Sequence, residues 1–537
     1  MKSLFFLIAF ICSITTVKSQ WNPDLNQNLK VIDIDSEVYA FSASMNNGKT
    51  YVAYWKKVNA PQNFELWLQI LDQNGNRQLG ANGILLSNQI PMSTYIAVHG
   101  IAVDSSNNLY LGVTGTETTN PGYVFKITPM GTSAWPNGIT LGEATFPKIL
   151  PLTNGDILAA YAPISEKYTK VQRFNPNGQA VWPTPLEIKS DDLTKETIPV
   201  NVLELPNNEC IVLFNKSIGG IDAKLFAQKI NLNGNIVWST PRLISTKTTS
   251  VTSDYSSFTD GNSVYCAFIG SDSNALYGYV QRVNVDGSLP WGNDGMKFTT
   301  DSSNYQVDIK IASSPGSSHL WAISSYTDSS QGMRGEFVQK FDKNMGTRLL
   351  TDAAKQVFPV DNNHMHHVGD LDLVNGNPFF VIQKKTDTNS NTLSAVLLNN
   401  NGDFSWPQQS LPMATFSASK TYITTLKPFN GQNVITFQEK KSTDSTSSIY
   451  AQNLVLPNLS TREVKNNKEA VVLFPNPATS MINIKGSKDQ KYEIYNAAGQ
   501  LVQSGSSKEN SIPIHNLSKG VYILKTANQN KYPFIKE

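Results

Sequence analysis

A single phrase is written over and over in this chain. INLNGNIVW (230–238) is a β-like run, a polar turn, a glycine, and a tryptophan four places later; it returns as FNPNGQAVW (174–182), VNVDGSLPW (283–291) and LNNNGDFSW (398–406). Aligned on the turn glycine, the copies fall at Gly75, Gly131, Gly178, Gly234, Gly287, Gly346 and Gly402, spaced by 56, 47, 56, 53, 59 and 56 residues. A degenerate eighth copy, IYAQNLVLPN (449–458), matches LFAQKINLNG (225–234) and carries Asn458 where the glycine would be. Periods near 50 residues belong to propellers and solenoids. Asn-Gly and Asp-Gly between alternating runs are hairpin signals, because the turn needs φ > 0.

Two further strand-like runs precede each copy. In the fourth unit the four strands are predicted as IPVNVLEL (198–205), ECIVLF (209–214), KLFAQKI (224–230) and IVWSTPRLI (236–244). Four antiparallel strands per unit, without helical periodicity, describe a propeller blade. The expected fold is therefore all-β: an eight-bladed β-propeller over 20–459, with seven blades as the alternative if the degenerate unit is incomplete. That last unit offers three strands, near 422–428, 433–438 and 449–456, and LKVIDI (29–34) is expected to complete it by pairing with IYAQNLVL. Such pairing would remove two exposed edges. The residues four after the glycine, Trp135, Trp182, Trp238, Trp291 and Trp406, with Leu79 and Leu350, are expected to pack between adjacent blades.

The unit resembles the quinoprotein-like propellers, whose docking motif also sets a glycine four residues before a tryptophan. Its polar residue lies three before the glycine (Asn231 to Gly234) instead of four, and a vicinal cysteine pair is lacking, so no cofactor is expected. A sialidase Asp-box has one residue fewer between glycine and aromatic. Arg173 and Arg282 occupy a repeat position and supply no independent arginine triad.

The N-terminal MKSLFFLIAFICSITTVKS reads as a secretory signal peptide over 1–19, with a basic start, an apolar run and a small-residue cleavage site before Gln20. No later run reaches membrane-spanning length, so no transmembrane segment is expected. A formal net charge of +2 with 16% charged residues argues against a nucleic-acid partner. Cys210 and Cys266, each inside an apolar run, are read as buried small hydrophobes.

From 471 onward the pattern changes. Pro475-Asn476-Pro477 sets an extended start, Asn496 to Gly499 a hairpin, and Leu517 to Gly520 a turn before VYILK, which contains Tyr522 and Lys525. These short strands suggest a small Ig-like β-sandwich over 471–537. The Pro-Asn-Pro start, the YNAAGQLV and LSKGVYILK blocks and the Lys531 and Lys536 end together resemble the type A C-terminal sorting domain of the type IX secretion system; the acidic Glu537 departs from it. The resemblance implies partnership with the type IX secretion machinery and its processing peptidase, and a protein secreted, extracellular or attached to the outer cell surface. STREVKNNKEA (460–470) is the polar linker where cleavage is expected.

Catalytic-type residues concentrate only in DNNHMHHVGD (361–370). If a strand begins there, His364 and His366 share a face as two metal ligands could, beside His367, with Asp361 or Asp370 to complete a binding site. No third ligand has diagnostic spacing, and no partner acid or base is discernible; a solvated histidine cluster is the other reading. G-x-S-x-G, Gly-rich phosphate loops and H-E-x-x-H are absent. The expectation is a binding protein for an extracellular glycan or protein, held at the channel-mouth segments 87–94, 189–196, 245–255, 299–306 and 359–367. The alternatives are a propeller-type polysaccharide hydrolase or lyase, and a structural or adhesive surface protein.

Overall fold

The computed structural model describes residues 21–456 and 472–537, apart from 35, 60–62, 97, 274, 443, 486–490, 498 and 527–530. The expected signal peptide, the linker and Asn458 lie outside these residues. The chain divides into two compact units, Met1–Leu456 and Pro457–Glu537.

The first unit is a succession of antiparallel meanders, built because apolar side chains recur with strand periodicity between turn residues. Val38–Ser44, Thr50–Lys57, Phe64–Leu71 and Ile84–Ser87 form the first sheet, in sequence order. The pattern repeats in sheets spanning 98–143, 145–188, 197–250, 256–297 and 305–361. The final sheet has seven strands because the 15-residue strand Leu411–Thr425 serves twice. Its first half pairs with Ser390–Leu397 and its second half with Gln432–Lys440. The outermost strand of this sheet comes from the other end of the unit: Leu29 lies opposite Ala451 and Lys30 opposite Tyr450.

The first strand of each meander touches the first strand of the next, and Leu411–Thr425 touches Val38–Ser44, so the cycle closes on itself. Sheets arranged radially in this way are a β-propeller. Cores lie between neighbouring sheets: one cluster joins Leu203, Ile211 and Leu225 to Val264, Phe268 and Tyr279.

The repeated phrase shows its physics here. All seven turn glycines have positive φ, from +72° at Gly402 to +85° at Gly234. The polar residue three earlier caps the turn: Asn231 Oδ1 accepts the amides of Asn233 (3.0 Å) and Asn235 (3.1 Å). Each turn then meets the large residue of the preceding copy. A Cβ on Gly178 would stand 3.1 Å from Trp135, one on Gly234 3.2 Å from Trp182, and one on Gly287 3.3 Å from Trp238. Leu79 plays this part for Gly131 and Leu350 for Gly402, while Trp21 and Leu29 cover Gly75. Trp406 is also buried, in a core with Phe379 and Met413.

The fourth strands are shorter than expected. Within 236–244 only Arg242–Leu243 pairs as a strand, after a single bridge between Ile230 and Ile236. Thr240-Pro241 interrupts the ladder, since proline has no N–H to give.

In the C-terminal unit, Val472–Phe474, Met481–Lys485 and Ser511–Pro513 form one sheet. Leu501–Ser506, Lys491–Asn496, Gly520–Thr526 and Lys531–Lys536 form the other. Ile482, Ile484 and Ile512 of one meet Ile494, Leu524 and Phe534 of the other in a shared core. Asn476 Oδ1 accepts the amide of Ile535 at 2.9 Å, tying the segment after the first strand to the last one. Gly499, at φ +77°, donates its amide to Asn496 O at 2.9 Å in the hairpin, and Tyr522 Oη donates to Ser518 O at 2.8 Å. Lys525 pairs with Glu493 at 3.3 Å.

Candidate functional site

The histidine segment is divided by a turn. The strand Lys355–Asp361 ends before it and His366–Val374 begins inside it. His364 sits between them at φ +52°, so strand alternation does not reach it and the expected His364–His366 face is not formed. Asp361 caps the turn, accepting the Asn363 amide at 2.8 Å. His366 is held by its Nδ1, 2.7 Å from His364 O, and burial holds its imidazole down at about 4, so it is neutral at pH 7. Among the described residues, no group of three or more His, Cys, Asp or Glu side chains is arranged to hold a metal ion.

His367 is the enclosed member, and it does have acidic partners. Its Nδ1 lies 2.9 Å from Glu336 Oε2, its backbone amide donates to the same oxygen at 2.8 Å, and its Nε2 lies 3.2 Å from Asp308 Oδ2. Glu336 is fully buried on the third strand (Arg334–Asp342) of the preceding sheet; Asp308 is on that sheet's first strand, Tyr305–Ala312. Burial alone would lower the imidazole, but the Glu336 and Asp308 carboxylates raise it to about 9. Burial opposes ionisation of Asp308 too, yet His367 and Lys310 hold its carboxyl well below the usual range. The chain of alternating charge continues from Asp308 to Lys310 (3.4 Å) and on to Asp254 (3.9 Å), in the connection leading into the strand Ser256–Thr259.

Ser325, His367 and Glu336 share the residue types of a nucleophilic triad without its geometry. Ser325 Oγ lies 3.0 Å from Nδ1, the nitrogen that Glu336 also contacts, and Ser325 is itself buried. A triad needs hydroxyl and carboxylate on opposite ring nitrogens. The position instead belongs to a series joining neighbouring sheets. Thr197 accepts the Thr169 amide at 2.7 Å, Gln306 accepts that of Gly278 at 2.7 Å, and Lys420 donates to Asn391 O at 3.1 Å. In each, a first-strand side chain grips the third strand of the sheet before it.

Further along the same strand, Asp370 and Asp372 lie beside the long strand Leu411–Thr425, where the Asp370 amide donates to Thr425 Oγ1 at 2.8 Å. Burial, reinforced by the Asp370 charge and opposed by Lys427, pushes the Asp372 carboxyl up to about 7. Asp308 and Asp372, on neighbouring first strands, are thus driven apart in acidity.

Sequence reasoning missed one whole series. Gln69, Gln172, Gln228, Gln281, Gln339 and Gln452 are all buried in third strands. Gln228 Nε2 donates to Trp238 O at 3.2 Å and its Oε1 accepts the Lys229 amide at 2.9 Å, and Gln172 does the same with Trp182 and Arg173. The signal was readable, a glutamine six places before most turn glycines. Arg173 and Arg282 also reach across, to Leu232 O (2.6 Å) and Lys343 O (2.8 Å). Asp191 is an exposed partner of Lys216. Cys210 and Cys266 are free and buried, their thiols pushed up to about 12 by burial.

The connections between a fourth strand and the next first strand differ widely, from none within Leu411–Thr425 and Ala144 alone after Glu143 to residues 88–97. One cleft at this end, of about 290 Å³, lies between Ser165, Tyr168, Lys189 and Leu193. A cavity of about 390 Å³ opens at the opposite, glycine-turn end, between Trp321 and Asn377.

Residues 472–536 match the secretion system C-terminal sorting domain. That domain marks a protein secreted through the type IX system, released or attached to the outer surface. Among the described residues no helix is long and apolar enough to cross a membrane. No curated protein matches the chain in sequence. Among solved structures, the chain is similar to polysaccharide lyase Uly1, at 10% identity and TM-score 0.43, over 80% of this chain and 99% of that one. It is also similar to the β-propeller domain of the Trilobed protease from Pyrococcus furiosus, at 8% identity and TM-score 0.39, over 70% and 99%. A third is the α-L-arabinofuranosidase Arb93A from Fusarium graminearum, at 9% identity and TM-score 0.32, over 58% and 93%. Likenesses at this level carry no argument about activity.

Proposed function

We propose that this is an exported binding protein: an eight-bladed ring over 20–459 that holds an extracellular glycan or protein, followed by an Ig-like sandwich that serves as its export address. A signal peptide over 1–19 starts the route, and cleavage within 460–470 separates ring from address. Support for eight blades comes from the closed cycle of first strands and from the double use of Leu411–Thr425.

The observation that carries the binding reading is a contrast within the ring. The turn glycines keep one conformation and a large apolar partner, Trp or Leu, around the molecule, while the connections at the other end run from none to ten residues. A scaffold held this constant, with exposed loops this varied, suits the display of specificity. A glycan array and a polysaccharide-degradation screen on the full chain test it. Selective retention without cleavage is expected, and turnover of any polysaccharide overturns it. Mass spectrometry of the natural extracellular protein tests the route; residues 471–537 still attached to a protein held in the periplasm would refute it.

One observation favours the second reading, a polysaccharide hydrolase or lyase. Asp308 and Asp372, carboxyls on neighbouring first strands, are shifted in opposite directions, Asp308 held down by His367 and Lys310 and Asp372 pushed up to about 7 by burial. Cleavage abolished by Asp372→Asn would establish it.

A further inference from the structure

The glycine-turn end of the ring carries a cavity of about 390 Å³, within the range of small-ligand pockets. Two adjoining sheets build it. Trp321 and His319, on the strand His319–Thr327, supply one side; Asn375 and Asn377 flank the hairpin tip joining His366–Val374 to Asn377–Asp387, and Asn400 comes from the turn before Gly402.

The cavity is held in shape before any ligand arrives. Asn375 (φ +52°) and Gly376 (φ +79°) make the two-residue turn between the paired Val374 and Asn377, a conformation that Asn-Gly adopts with little strain. Trp321 Nε1 donates to Gly376 O at 3.2 Å, locking the hairpin tip to the preceding sheet. Both neighbouring cations are already engaged: Lys340 Nζ lies 2.7 Å from Asn400 Oδ1 and 4.9 Å from the Trp321 ring centre, and Lys343 pairs with Asp260 at 2.9 Å. Ser317 Oγ lies 3.2 Å from His319 Nδ1 and orients that ring. Burial, with Lys340 and Lys343 adding to it, holds His319 below the usual imidazole range and so neutral at pH 7. Asn375 is exposed and Asn377 half-buried at the cavity rim, and among the described residues no protein group hydrogen-bonds either side-chain amide.

Such amides each offer donors and an acceptor, matching vicinal hydroxyls, while an anionic ligand would find both lysines taken. We propose that this cavity between Trp321 and Asn377 is a binding site for a neutral sugar unit. The proposal goes beyond the binding reading above: it puts a ligand site at the glycine-turn end, independent of the variable connections.

The test is titration of the full chain with neutral saccharides (glucose, galactose, mannose, xylose and cellobiose) and with glucuronate, by calorimetry and saturation-transfer NMR. At least one neutral saccharide is expected to bind, and Asn375→Gly/Asn377→Ala to weaken it at least tenfold with an unchanged melting temperature. Glycine keeps the turn while removing the amide. Should that variant fold poorly, His319→Phe, which keeps a ring of similar size and removes its hydrogen-bonding nitrogens, is expected to give the same loss. Neutral-sugar binding unchanged in both variants would overturn the site while leaving a glycan-binding ring. Preference for glucuronate overturns the ligand class. No saccharide binding at all overturns the proposal, and capture of a protein ligand by the same preparation would show that the binding reading survives it.

Discussion

The Trp182 ring covers Gly234 one repeat further on: Nε1 donates to Leu232 O at 3.0 Å, and a Cβ on Gly234 would stand 3.2 Å from three ring atoms. The glycine is required twice, by its φ of +85° and by the ring above it. Gly234→Ala is expected to cost about 1–3 kcal/mol from strain and overpacking, and Trp182→Ala about 3–5 kcal/mol. Chemical denaturation measures both. A Gly234→Ala protein as stable as the parent would mean the contact is not made.

The buried glutamines give a second, independent measurement. Gln228 satisfies the Lys229 amide and the Trp238 carbonyl at once, inside the sheet. Gln228→Leu fills a similar volume but leaves both backbone groups unpaired, at an expected cost of about 1–3 kcal/mol for each group stranded. Gln228→Glu, which keeps only the acceptor, is expected to lose the Trp238 bond and to suffer most at high pH. Equal stability of all three proteins would sink this account.

What could be read from the residues was whatever is local. The turn at Gly234 is legible because Asn-Gly reports a backbone conformation, and the outer partner of the last unit because that unit is incomplete, although only Leu29–Lys30 of the expected 29–34 pairs as a strand. His367 was out of reach for the opposite reason. Glu336 lies 31 positions away and Asp308 59, on the preceding sheet, so their meeting depends on the seam between sheets and on no motif. The strand was also assumed to start before His364, and the positive φ there removed the alternation on which the two-ligand face depended. A glutamine in a strand reads as a solvent-facing residue until the structure shows it buried.

His367 is expected to make stability depend on pH in a defined window. Its imidazole is raised to about 9, so its contribution is complete below the ordinary value of about 6.5 and is lost as pH rises through 9. Asp308 is depressed, so its contribution is present above about 3.8 and is lost as pH falls below that. The ion pair therefore acts from about pH 4 to 9. His367→Gln is expected to cost about 3–5 kcal/mol at pH 7, because Glu336 is left buried without its cation, and much less at pH 10. Denaturation of both proteins at pH 5, 7 and 10 checks this, and a gap that does not shrink at pH 10 would contradict the assignment.

Closure of the ring is expected to depend on residues 21–34. Leu29 and Lys30 pair with Ala451 and Tyr450, the Val31 amide donates to Ile449 O at 2.9 Å, and Asn28 Nδ2 donates to Glu439 at 2.9 Å. Val31 and Ile32 are fully buried with Tyr54 and Ile449, and Trp21 covers the turn at Gly75. Burial of Val31 and Ile32 alone is worth about 3–6 kcal/mol together. Deleting 21–34 would forfeit that and leave Ser448–Val455 as an open edge, an invitation to pair with another chain. The truncated protein is expected to melt about 3–7 °C lower, and to aggregate on heating where the parent does not. As a separate check of register, Lys30→Cys/Tyr450→Cys places two thiols at directly paired positions, and oxidation is expected to cross-link them and raise the melting temperature above that of the reduced form. A truncation without effect, together with cysteines that stay reduced under oxidant, would show that the ring is closed by some other strand.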